Sequence, residues 1–90
     1  MTPEQIIERA RLVREFLDSE HFKEAWNAAD ADLVREFKEA ASPEQAMRIY
    51  EEMRAMARLY RLWNTYLADA KIASKEKEAQ EKPTRKRGYF

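Results

Sequence analysis

The sequence predicts an all-α fold of three helices. The second and third form an antiparallel hairpin, the third is long, and a basic C-terminal tail follows. Three observations predict it. Glycine occurs once, at Gly88, and cysteine not at all, which leaves tight strand-to-strand turns without their usual residues. Apolar residues recur three and four apart through most of the chain, the period of a helix. The start signal Thr2-Pro3-Glu4-Gln5 returns almost letter for letter as Ser42-Pro43-Glu44-Gln45.

The first helix opens at that first signal. Thr2 caps it, Pro3 suits the first helical position, and Gln5 completes a capping box. Ile6, Ile7, Ala10, Val13, Phe16 and Leu17 then form one apolar stripe. The stripe loses phase near Asp18-Ser19, where either residue can cap a second helix and Glu20 suits its positive end. Phe22, Ala25, Trp26, Ala29, Leu33, Phe37 and Ala40 carry the second stripe over residues 20–41. Pro43 disfavours helical backbone at Ser42, so the second helix stops before it.

The third helix runs from Pro43 and meets no breaker until Pro83. Ala46, Ile49, Met53, Met56, Tyr60, Trp63, Leu67 and Ala70 fall into a heptad frame, the pattern of a contact with another helix. A second row, Ala55, Leu59, Leu62, Tyr66 and Ala73, lies on an adjacent face. The short connection at Ala41-Ser42 forces the hairpin. The second helix is too short to cover the third, and the first covers only part of the remainder. Self-association, or docking on a larger assembly, is the expected consequence. The closed alternative is a three-helix monomer with the aromatics in its core.

The apolar period dies at Ser74, dividing the chain into a helical domain at 1–73 and a polar extension with a basic, aromatic tail at 74–90. The 90 residues carry 17 basic and 17 acidic side chains and no net charge, yet the balance is uneven. Residues 1–70 hold ten basic and fourteen acidic groups, and residues 71–90 hold seven and three. Only the tail can attract a polyanion at long range. Arg85, Lys86 and Arg87 are its candidate nucleic-acid contacts. Tyr89 and Phe90 are candidate anchors for a partner's pocket.

Chemistry is sparse. The single glycine excludes Gly-rich phosphate loops. His21 has no second His or Cys to share a metal with. Glu51-Glu52 and Asp30 with Asp32 are too close in sequence to share a helix face. Glu8 and Asp69 show no readable partner. Ser19 and Ser42 have capping roles that explain them. No catalytic residue, metal, cofactor or small-molecule substrate is expected, and the chain is not expected to be an enzyme. The longest uncharged run, Leu62 to Ala68, is far short of the roughly 20 residues that cross a bilayer. No signal-peptide order stands at the N-terminus, so no secretion by that route is expected. Arg54, Arg58 and Arg61 form a ridge on the third helix. Pairing with Asp30, Asp32, Glu36 and Glu39 of the second helix is favoured over a phosphate-binding role.

Ala10-Arg11-Leu12-Val13-Arg14-Glu15-Phe16-Leu17-Asp18 leads into Phe22-Lys23-Glu24-Ala25-Trp26. Ala40-Ala41-Ser42-Pro43-Glu44 and the aromatic-rich stretch from Ile49-Tyr50 to Tyr66-Leu67 follow. Over residues 6–75 this order resembles small helical accessory proteins encoded among the structural and packaging genes of tailed bacteriophages. The resemblance implies a virion or assembly component, located in the particle or the host cytoplasm, and assigns no functional residue. The expected function is a non-catalytic helical interaction protein. Its expected interaction residues are Met53, Met56, Tyr60, Leu62, Trp63, Tyr66 and Leu67, with Tyr89 and Phe90. The alternatives are a nucleic-acid-binding packaging factor acting through the tail and a small inhibitor of a host protein.

Overall fold

The computed structural model describes residues 1–81, and within them the protein is all-helical. Helix α1 spans Pro3–Asp18, α2 spans Glu20–Lys38 and α3 spans Pro43–Glu81. The tail candidates Arg85, Lys86, Arg87, Tyr89 and Phe90 lie outside the described residues.

Local chemistry sets each boundary. At the first start, the Thr2 N–H donates to Gln5 Oε1 at 2.9 Å and the Gln5 N–H to Thr2 Oγ1 at 3.2 Å, a reciprocal capping box. At the third, the Gln45 N–H donates to Ser42 Oγ at 3.1 Å. The Gln45 amide reaches one residue further back than in the first box, accepting from the Ala41 N–H at 2.9 Å. The break between α1 and α2 is one residue long. Ser19 turns extended at φ −64°, ψ 132°, and its hydroxyl accepts from the Phe22 N–H at 3.4 Å. Helix α2 ends three residues before the expected Ala41. Its last turn tightens: the Glu39 N–H bonds the Arg35 carbonyl at 3.0 Å and the Ala40 N–H the Phe37 carbonyl at 3.4 Å. No described residue has a positive φ, so the helix closes without the left-handed cap that a glycine would provide.

The chain divides into two compact units. One is Glu15–Leu62; the other, among the described residues, joins Met1–Arg14 to residues 63–81.

In the Glu15–Leu62 unit, aromatic rings link the helices. Phe16 stacks on Phe22 across the Ser19 break with centroids 4.4 Å apart. Phe22 meets Trp26 at 5.5 Å, and Trp26 meets Tyr60 of α3 at 5.8 Å. All three pairs are tilted; the two made by Trp26 fall within the separations that favour ring contacts, and Phe16–Phe22 is slightly closer. Further along α2, Glu36 borders a groove with Gln45, Arg48, Ile49 and Glu52. Ile49 is the buried residue of this unit.

In the other unit the buried residues are Ala10 and Ala73. Methyl-sized side chains lose almost no rotamer freedom on burial. Among the described residues these three are the whole buried core, and no large side chain is fully enclosed.

The caps differ in geometry, so they should differ in worth. Ser42→Ala is expected to cost about 1 kcal/mol, within the usual range for a lost N-cap. Ser19→Ala, whose bond is longer, should cost less. Urea unfolding of the two variants checks the order.

Candidate functional site

Helix α3 presents two faces within the Glu15–Leu62 unit. One points at α2. Met53, Met56, Ala57 and Tyr60 line a groove there with Trp26, Asn27 and Asp30. Met53 and Met56 are half-buried, while Tyr60 keeps 44% of its surface exposed. Three of the expected interaction residues therefore already serve internal packing in part.

The opposite face is open. Glu51, Arg54, Ala55, Arg58, Leu59 and Leu62 line one shallow groove on it. Pro43, Glu44, Met47 and Arg48 continue the strip toward the helix start, where Glu51 closes a second groove. Met47 is 58% exposed, and Leu59 and Leu62 are 42% and 44% exposed. Of the expected residues only Leu62 lies here. Leu59 and Ala55 belong to the second apolar row read from the sequence, and Met47 belongs to neither row. The signal that could have found the strip is helical geometry. Once Met53, Met56, Ala57 and Tyr60 are assigned to α2, residues near 47, 51, 55, 58 and 62 must lie on the far side.

Two residues of the arginine ridge, Arg54 and Arg58, do not pair as expected. Asp32 is taken within its own helix by Arg35 at 3.0 Å. Among the described residues, Arg54, Arg58 and Glu51 make no ion pair. Arg54 and Arg58 each follow a residue of the α2-facing row by one position, about 100° round the helix. That places them at the open groove instead of against α2.

Trp63, Tyr66 and Leu67 belong to the other unit, where all three are half-buried. Here the structure shows a contact the sequence did not reveal. The Arg9 guanidinium lies over the Tyr66 ring at 3.8 Å from its centroid. The same side chain faces Asp69 at 3.7 Å and donates to Met1 Sδ at 3.3 Å. Arg9 Nε is shielded from solvent with no hydrogen-bond partner among the described residues, so the ring face is its main compensation. Tyr66 and Asp69 stand one turn apart on α3, which lets one cation use both.

Glu8, for which the sequence shows no readable partner, holds Arg11 in a two-pronged pair. Arg11 Nε donates to Glu8 Oε2 at 2.9 Å and an Arg11 Nη to Glu8 Oε1 at 2.6 Å. The Arg11 hydrogen bonds, with a smaller charge attraction, hold the Glu8 carboxyl below the usual carboxylate range, against a partial offset from desolvation.

No group of acids and histidines among the described residues could hold a metal ion, and none of their helices is long and apolar enough to cross a membrane. His21 is exposed. The Ser19 and Ser42 hydroxyls point at helix N-termini as caps. Compared with known proteins, the chain matches no family model, no curated protein and no solved structure.

Two outcomes follow from the pairs described. Replacing Tyr66 by Leu keeps an apolar contact but removes the cation's ring, and should cost roughly 0.5–1 kcal/mol in thermal or urea unfolding. Replacing Arg11 by Gln should raise the Glu8 pKa toward its ordinary value, read by NMR titration of the carboxyl. The sign is fixed: a depressed folded pKa stabilises the fold above the unfolded value, and that contribution is lost as pH falls through the folded one.

Proposed function

We infer that the protein is a non-catalytic helical interaction subunit that docks through the open face of α3. Its setting is a phage particle or its assembly, as the sequence resemblance implies, in the virion or the host cytoplasm. The hairpin belongs to the same reading. Glu36 of α2 borders the start of α3, whereas Trp26 borders Met53–Tyr60 further along, the order of an antiparallel pair.

The observation that carries it is the imbalance between covered and uncovered apolar surface. Among the described residues only Ala10, Ile49 and Ala73 are buried, while Met47, Tyr50, Leu59 and Leu62 are each more than two-fifths exposed on α3. Burying a leucine side chain is worth about 1.5–3 kcal/mol. A contiguous strip of such residues rimmed by charges has the character of an interaction site. A non-catalytic role is consistent with the serines: Ser19 and Ser42 are occupied as caps.

The test is the paired substitution Leu59→Asp with Leu62→Asp. Helicity should survive by circular dichroism, because both side chains are exposed. The complex containing the protein in extracts of its producing cells should collapse to the monomer on gel filtration. Loss of two leucines corresponds to at least about a hundredfold in affinity. A wild-type chain that already travels as a monomer would overturn this reading. If that monomer shifts nucleic acid in a salt-sensitive way that needs residues 83–90, the tail-binding alternative replaces it.

A further inference from the structure

We propose that the occupant of the open α3 face is a second copy of this chain, laid antiparallel across it about a two-fold axis between Arg54 and Ala55. The inference rests on the interaction reading above and names its partner. The groove residues are self-complementary under that one operation. In an antiparallel pair, opposing residue numbers sum to a constant. With the axis at 54–55, Glu51 opposes Arg58 of the second copy, and Arg58 opposes its Glu51. Met47 opposes Leu62 in the same register, again twice. At ~1.5 Å per residue, Glu51 and Arg58 each stand about 5 Å along the helix from the axis. Ala55, beside the axis, has only a methyl group to hold two backbones apart.

The charges support this occupant. Glu51 and Arg58 border one groove, are exposed, and make no ion pair among the described residues. The antiparallel copy gives each a partner of opposite sign. A parallel copy in register would set Glu51 on Glu51 and Arg58 on Arg58, which like-charge repulsion disfavours. Isologous two-fold pairing is also the commonest symmetry of soluble homo-oligomers. Arg54 gains nothing, since half a residue from the axis it stands at the edge of the strip beside its own symmetry copy, a like charge.

Sedimentation equilibrium of the purified full chain tests the proposal. The wild type should form a dimer, and Glu51→Arg or Arg58→Glu alone should each weaken it on the order of tenfold by replacing two attractions with two repulsions. An equimolar mixture of the two single variants should recover the dimer as a mixed species, because one then carries only cations at these positions and the other only anions. Arg54→Ala should leave the dimer as tight or tighter. Circular dichroism confirms that each variant folds. A monomeric wild type, a dimer indifferent to both reversals, or variants that fail to recover on mixing would overturn the proposal. A monomeric purified chain whose complex in cell extracts still depends on Leu59 and Leu62 would overturn the second-copy assignment alone and leave the interaction reading in place.

Discussion

The limiting constraint is the length and composition of α3. A 39-residue helix spans roughly 58 Å at ~1.5 Å per residue, and its apolar residues are distributed over more than one face. Helices of 16 and 19 residues accompany it. Each local contact draws on one row of α3: Trp26 on Tyr60 in one unit, Arg9 on Tyr66 in the other. What remains is a strip with no described neighbour, and the docking role is inferred from that remainder. The shortage of buried residues has the same origin. A row that faces a single neighbouring helix is mostly half-covered, and among the described residues burial is reached only at the small Ala10 and Ala73 and at Ile49.

Boundaries were legible in the letters because caps are local. A Thr or Ser followed by Pro and then Gln three residues on specifies its own hydrogen bonds: both are present at Thr2, and at Ser42 the hydroxyl cap is present while the Gln45 amide takes the Ala41 N–H. The break at Ser19 was legible from a loss of phase together with a residue able to cap. The end of α2 was harder to place. With no glycine available, its last turn simply tightens at Glu39 and Ala40, and nothing in the composition marks the residue where that occurs.

The site was legible only in part, and for a physical reason. A helix pattern shows which residues share a face, but not which of two apolar faces meets the neighbour. The expected interaction residues on α3 come from both rows, and three of them, Met53, Met56 and Tyr60, turn toward α2. The arginines followed from the same ambiguity: with those three inward, Arg54 and Arg58 fall outward. The Arg9, Tyr66 and Asp69 cluster spans some 60 residues of sequence. No periodicity announces a cation seated on a ring so far away, because each partner has an ordinary place on its own helix.

The buried alanines at positions 10 and 73 bear on how the unit that pairs Met1–Arg14 with the later part of α3 responds to heat. The heat-capacity increment of unfolding scales with the apolar area newly hydrated, and a methyl-lined contact hydrates little. The half-buried Trp63, Tyr66 and Leu67 supply the larger part of that increment in this unit. Withdrawing further oily surface from water would enlarge it again.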